Sequence, residues 1–342
     1  MNINKINITR KTEPIVIAEI GINHNGDLNM AIEMANAAIS AGAKIIKHQT
    51  HIVSDEMSNE AKDVIPGNSD KSIYEIIENC ALNEDDELKL MKYINSKNAV
   101  FISTPFSRAA VDRLEKFDVP AYKIGSGECN NYPLVEYIAS KRKPIILSTG
   151  MNSIDSIKPS VEILRKYKVE FALLHCTNLY PTPSNLVRLN CIQVLAQEFP
   201  DAVVGLSDHT EDNLMCYASI PFGATILERH FTDNYKRKGP DISSSMDTEN
   251  LKKLIINSKK IFNAIPGKKE PLDEEAPTIA FAQPSIAVIK DIKKSEIFTK
   301  ENIFPLRPGG GEFGVIDYES ILGKKASKDL KKGFQLKKDE IS

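Results

Sequence analysis

Residues 205–233, GLSDHTEDNLMCYASIPFGATILERHFTD, hold the end of one apolar run (AVVGLSDHT), a helical stretch (NLMCYASIPFG) and a second apolar run (ATILERHF). A strand, a crossover helix and a parallel strand of this length put both strand ends on one edge of a sheet. His209 and His230 therefore end side by side, with Ser207, Asp208 and Glu228 next to them. Two imidazoles at adjoining strand ends suit a metal or proton-transfer site. A pair of satisfied structural histidines fits these two runs equally well, so the rest of the chain has to decide.

The same unit recurs upstream. IVIAEIGIN (15–23) reads as a buried strand, followed by helical spacing over 28–40 with Asp27 as N-cap and Gly42 as stop. AKIIKHQT, AVFISTPF, AYKIGSGE, PIILSTGM and FALLHCTN are further strands. An insertion, residues 50–71, and the helical segments SIYEIIENCAL and DDELKLMKYINSK follow the second; RAAVDRLEKF, YPLVEYIASK, SIKPSVEILRKY and LNCIQVLAQEF separate the others. TENLKKLIINSKKIFNAI closes the series. Eight strand-and-helix units in about 255 residues predict an α/β chain folded as a (β/α)8 barrel, with a doubly wound open sheet as the competitor.

The chain has 342 residues, enough for a large α/β domain and a small one. Its 42% hydrophobic and 26% charged residues are those of a globular protein with packed cores. A net charge of −2 with mixed signs removes the electrostatic argument for nucleic acid or an anionic membrane as partner. Small molecules or proteins are expected instead. The polar start MNINKINITRKTE lacks the apolar core of a signal peptide, and no later run reaches membrane-spanning length, so the expected location is the cytoplasm. Five cysteines scattered without CxxC spacing read as free thiols, none of them a nucleophile.

A barrel gathers its chemistry where strands run into the following loops. Every strand of this chain ends in polar groups: Glu19 and Asn23, Lys47 and Gln49, Thr104, Lys123 and Ser126, Ser148, Asn178, Ser207 and His209, Glu228 and His230. Charges buried without partners are strongly disfavoured, so this convergence favours a site over structural histidines. Lys47 and Lys123 reach one cavity from the second and fourth strands, beside the hydroxyls of Thr104, Ser126 and Ser148 and the glycines of GSGE and STG. That set suits a phosphorylated anion. A lone lysine is usually a surface salt bridge, but both of these sit in apolar strands. Lys123 could also form a Schiff base.

AEIGINHNG, KHQTHIVSDEMS, VIPGN, STPFSRAA, YKIGSGECNNYPL, LSTGMNS, CTNLYPTP, GLSDHT and ILERHFTD, in this order, resemble the bacterial N-acetylneuraminate (sialic acid) synthase family. Residues 281–342, including RPGGGEF, resemble the small antifreeze-like (SAF) domain of those synthases. The expected organisation is a barrel over 1–267, a linker over 268–280 and the SAF domain over 281–342. The resemblance implies condensation of phosphoenolpyruvate with N-acetylmannosamine and water to N-acetylneuraminate and phosphate. It implies His209 and His230 as ligands of a divalent metal, Mn2+ first, with Mg2+ or Co2+ as alternatives. Lys47, Gln49, Thr104, Lys123, Ser126, Ser148, Asn178 and Ser207 match positions around phosphoenolpyruvate. Glu19, Asn68, Tyr180 and Asp241 match positions around the sugar. It further implies a domain-swapped homodimer in which Arg307 and Phe281 reach the partner's sugar site.

The residues fit that chemistry on their own terms. A divalent cation on an aldehyde oxygen stabilises the alkoxide that develops during carbon–carbon bond formation. A carboxylate must then orient and deprotonate a water, with Glu19 the first choice and Glu228 the second. Legionaminate and pseudaminate synthases share the scaffold and are the alternative reading, since acceptor choice rests on contacts worth about 1–3 kcal/mol each. A lyase trapping its keto acid on Lys123, a sugar-binding barrel and a polyanion-binding C-terminal module are the rivals. Of the other histidines, His24 and His48 flank site residues and serve to position them, while His51 and His175 read as polar fillers.

Overall fold

The computed structural model describes residues 1–65 and 70–342. Among them, eight parallel strands close a barrel. They are β1 (Ile15–Gly21), β2 (Ile45–Thr50), β3 (Val100–Pro105), β4 (Tyr122–Ile124), β5 (Ile145–Ser148), β6 (Phe171–Cys176), β7 (Val203–Asp208) and β8 (Ile226–His230). Each pairs with its neighbours in sequence, and β8 pairs back onto β1, so the open-sheet alternative is excluded.

Local signals set the helices that cover the barrel. Asp27 caps Leu28–Ser40 by accepting from the backbone N–H groups of Asn29 and Met30, and Gly42, at φ +105°, turns the chain out of the helix. Ser72 and Glu75 form a capping box at the start of Ile73–Cys80. The insertion after β2 holds a short helix, Val53–Glu56, and a 3-10 turn, Asn59–Lys62. No helix among the described residues is long and apolar enough to cross a membrane.

Side chains alternate across a strand, and the alternation builds the interior in layers. Ile17, Ile45, Ile102, Ile146, Ala172 and Ile226 form an apolar floor, closed from below by Met1, Ile3 and Ile8 of the N-terminal segment. Burying each such isoleucine contributes about 1.5–3 kcal/mol. Two residues further along five of these strands the same face becomes polar, at Glu19, Lys47, Thr104, Ser148 and Glu228, and Lys123 joins them two residues beyond Ala121; of these strands only that of Ala172 stays apolar, at Leu174. The opposite face, with Ala18, Ile46, Phe101, Leu147, Leu173 and Leu227, packs into the outer core beneath the helices.

The chain divides into two compact units, Met1–Pro266 and Gly267–Ser342. The second has its own core of Ile286, Val288, Ile292, Phe298 and Ile303, and an antiparallel pair of strands, Ser285–Val288 and Ile303–Leu306. The span expected as a linker is not extended throughout. Pro277 at the first turn suits a helix, and Ala276–Ala282 forms one.

Candidate active site

Register brings the polar layer together. Glu19 is level with His230 on one side and Lys47 on the other, and Gln49 is level with Thr104. Lys47 Nζ lies 2.5 Å from Glu19 Oε2 and 3.9 Å from Glu228 Oε1, and donates to Thr104 Oγ1 at 3.1 Å. Gln49 donates to Glu19 Oε1 at 3.0 Å. Lys123 Nζ donates to Ser148 Oγ at 2.7 Å and stands 3.4 Å from Glu228 Oε1, which also accepts from Ser207 Oγ at 3.1 Å.

The two lysines are held in different electrostatic states. Burial works against the Lys47 ammonium, but Glu19 and Glu228 outweigh it and keep its pKa above the ordinary lysine value. Burial pulls Lys123 below that value; Glu228 opposes the shift and Lys47 adds to it. Glu228 is itself buried, and the two ammonium groups hold its carboxyl below the usual range.

His209 and His230 face each other as expected, with ring centroids 5.4 Å apart. Burial, reinforced for His209 by its neighbour His230, lowers both to about 4, so both rings are neutral near pH 7. Thr177 O can only accept, so the 3.0 Å contact makes His209 Nδ1 the donor and leaves the lone pair on Nε2. His230 Nδ1 is buried and has no hydrogen-bond partner among the described residues; Asp241 Oδ2 lies 3.6 Å away. Tyr180 packs its ring 4.1 Å from that of His209. Among the described residues, no three His, Cys, Asp or Glu side chains converge as a metal-binding group.

These residues, with Ser126 and Asn178, line one cavity of about 280 Å3. Asp241 is raised to about 6 by burial and lies in an adjoining cavity of about 710 Å3, which shares Gln49, Tyr180 and His230 with the first. Asn68 lies outside the described residues. Phe281 and Arg307 are exposed side chains of the second unit.

Several placements differ from expectation. Asp208 points away from the cavity, into the outer layer, where it accepts from Thr210 and stands 3.6 Å from the buried Arg229. Strand alternation explains this, because Asp208 is one residue out of phase with Ser207. His24 and His48 meet through their Nε2 atoms at 3.1 Å, and His48 continues to Glu87 Oε1 at 3.1 Å, within the outer layer. His175 bonds to Val187 O in keeping with a filler. His51, expected as another filler, has both ring nitrogens engaged, by Glu56 and by Gln49.

Glu128 was not singled out by the sequence. It lines both cavities, and its carboxyl is raised to about 7 by burial and by Glu56. Its signal was its place in GSGE, at the end of the strand that already supplies Lys123 and Ser126.

Comparison with known proteins gives the same picture at the level of the whole chain. The NeuB family model matches residues 6–270 and the SAF domain model matches residues 283–342. N,N'-diacetyllegionaminic acid synthase of Campylobacter jejuni is 35% identical, over 93% of this chain and 97% of its own. Pseudaminic acid synthase of the same species is 32% identical over 100% of both chains. Among solved structures, N-acetylneuraminic acid (sialic acid) synthetase from Leptospira borgpetersenii superposes with a TM-score of 0.74 at 29% identity, covering 82% of this chain and 94% of its own.

Proposed function

The chain belongs to the NeuB family, a family of sialic-acid-type synthases, and on that footing we propose that it joins phosphoenolpyruvate to the aldehyde form of a 2-acetamido sugar, consuming water and releasing phosphate. The proposed acceptor is of the legionaminate or pseudaminate kind rather than N-acetylmannosamine. Supporting this choice, the relatives that carry those names match the chain more fully than the solved N-acetylneuraminic acid synthetase does.

The observation that carries the reading is one cavity in which two buried lysines stand beside two facing neutral imidazoles. Lys123, Ser148 and Ser126 provide donors for the phosphate, and Lys47, Thr104 and Gln49 provide donors for the carboxylate end. The methylene carbon of the enol forms the new bond to the aldehyde carbon. Water adds to the carbon that bore the phosphate, and the bond from that carbon to the phosphate oxygen breaks. Glu19 takes the proton of this water, with Glu228 as the alternative base. Holding both substrates and the water together supplies up to about 7–11 kcal/mol of the barrier.

A divalent cation fits the histidine pair: both rings are neutral, one has a lone pair set by a backbone carbonyl, and the other carries a buried nitrogen without a hydrogen bond. His209 and His230 would hold Mn2+, with Mg2+ or Co2+ as alternatives, leaving the remaining positions to oxygen ligands. When bound, the cation supplies Lewis-acid polarisation of the acceptor carbonyl.

The assembly we propose is a domain-swapped homodimer, with Arg307 and Phe281 contributing to the partner's acceptor site. Phe281, Phe304, Ile316 and Phe334 are exposed apolar side chains on the second unit and support a protein contact there. The proposed location is the cytoplasm, in keeping with free thiols at Cys80, Cys129, Cys176, Cys191 and Cys216.

One observation favours a second reading. Lys123 is held below the ordinary lysine value, as a Schiff-base lysine would be. The deciding experiment is phosphate release from phosphoenolpyruvate with a panel of 2-acetamido and 2,4-diacetamido sugars, run beside borohydride reduction in the presence of pyruvate. Release with a diacetamido sugar at higher kcat/KM than with N-acetylmannosamine supports the proposal. Borohydride inactivation without phosphate release would replace it with the lyase.

A further inference from the structure

We propose that His51 is a positioning residue for the buried Glu19–Lys47 pair, acting through the side-chain amide of Gln49. Its ring follows directly on β2 and is buried; Nδ1 lies 2.9 Å from Glu56 Oε2 and Nε2 lies 3.1 Å from Gln49 Oε1. The ring stacks on Phe106 with centroids 4.3 Å apart and planes 13° from parallel. Gln49 donates from its amide nitrogen to Glu19 Oε1 at 3.0 Å, and Glu19 meets Lys47 at 2.5 Å.

The proton positions along this chain follow from its inner end. A carboxylate in contact with an ammonium is an acceptor, so Gln49 must turn its NH2 toward Glu19 and its carbonyl oxygen toward His51. Nε2 of His51 therefore carries a proton and donates it to Gln49. That proton prevents the amide from turning over. After a half-turn, the amide oxygen would oppose the Glu19 carboxylate and the NH2 would oppose the His51 N–H, so two hydrogen bonds would become two repulsions. Glu56 holds the imidazole from its other side. The short helix carrying Glu56 is tied in turn to the helix Arg108–Lys116, because Asp55 Oδ2 accepts from the backbone N–H of Ala109 at 3.0 Å.

The relay thus runs from an outer loop to the carboxylate assigned to the water. His51 lines the larger cavity, together with Asp241 and Glu128, and not the smaller one that holds Lys123 and Ser148. Losing it should therefore disturb Glu19 and the Gln49 amide while leaving Lys123 and Ser148, the phosphate end of the anion pocket, in place. A filler stacked on Phe106 would behave differently, since phenylalanine could take its place.

The test has two arms. In [15N]histidine-labelled full-length protein, with the His51 resonances assigned by their loss in His51→Gln, Nε2 should be protonated; an unprotonated Nε2 overturns the proposal. This arm does not depend on the reaction. The kinetic arm rests on the synthase reading and measures phosphate release at saturating acceptor. His51→Phe keeps the stack and loses the Nε2 donor, and should lower kcat about tenfold, the effect of one lost hydrogen bond to a charged group, with a smaller rise in KM for phosphoenolpyruvate through the loosened Gln49. His51→Gln keeps a donor and should stay within about threefold of wild type. Melting curves confirm that each variant is folded. His51→Phe matching or exceeding His51→Gln in kcat overturns the relay, as does a loss confined to KM for phosphoenolpyruvate. If wild-type protein releases no phosphate with any acceptor, the synthase reading fails, and the nitrogen spectra still decide the position of the His51 proton.

Discussion

Lys47 Nζ and Glu19 Oε2 are 2.5 Å apart, with the two side chains 4% and 2% exposed, at the level where the barrel interior changes from apolar to polar. A buried pair in this setting is held for function more than for stability, because desolvation offsets much of its attraction. The barrel keeps it by surrounding it with Gln49, Thr104 and Glu228.

Breaking the pair from one side leaves a buried charge uncompensated. Lys47→Met and Glu19→Gln should each lower the unfolding free energy, Lys47→Met by about 3–5 kcal/mol. The double variant should recover at least half of the Lys47→Met loss, since neither side then leaves a charge behind. All three should lose phosphate release by about a hundredfold or more. Urea unfolding and the phosphate assay read these separately, and purely additive losses of stability would contradict the coupling.

The histidine pair makes a prediction independent of turnover. Protein stripped with a chelator should bind Mn2+ in a one-to-one ratio by electron paramagnetic resonance, and phosphate release should vanish on stripping and return with Mn2+. His209→Ala and His230→Ala should each weaken binding by more than the roughly 10–100-fold typical of an outer-shell change. Wild-type affinity in either variant would remove the pair from the site.

Much of this arrangement was legible from the strands alone. Alternation with period two makes Lys47 and Gln49 inward neighbours and sends His48 to the opposite face; the same rule separates Asp208 from Ser207, which the grouping of Asp208 with the histidines overlooks. The βαβ span brought His209 and His230 together without any knowledge of their rotamers. The role of His51 was not legible, because it depends on which way an amide faces, and that follows from a carboxylate on a different strand. Glu128 was missed for a similar reason: its shift comes from burial and from Glu56, some 70 residues away in the chain. Asn68 rested on family resemblance alone.

Glu128 predicts a pH dependence with a definite sign. Burial, with Glu56 adding to it, raises its carboxyl to about 7, so the folded chain keeps a proton that the unfolded chain releases near the ordinary carboxyl value of 4.5. Stability from this group is therefore present at low pH and is lost as pH rises through about 7. Glu128→Gln should match wild type in unfolding free energy near pH 4, below the unfolded value, and exceed it near pH 8.5. The protonated carboxyl also faces the cavity as a proton donor, so wild-type kcat should fall as pH rises through about 7, and that limb should be absent in the variant. A variant that keeps the limb would assign it to another group.

Gly150 tests the anion pocket by steric means alone. A Cβ placed there would stand 1.8 Å from Asn178 Oδ1 and 2.9 Å from Ser126 Oγ, and Ser126 Oγ also accepts from the Gly150 backbone N–H at 3.0 Å. No rotamer of the new residue relieves this, because the methyl carbon has none, so Asn178 and Ser126 must move. Both line the cavity beside Lys123, and the three atoms nearest the new Cβ all belong to them rather than to the histidine pair or Glu19. Gly150→Ala should therefore raise KM for phosphoenolpyruvate by about tenfold or more, as expected when positioned donors are displaced. Mn2+ binding should stay at the wild-type level. Gly150→Ser should be at least as impaired, since it keeps the offending Cβ. An unchanged KM in a folded Gly150→Ala protein would place the phosphorylated substrate elsewhere in the barrel.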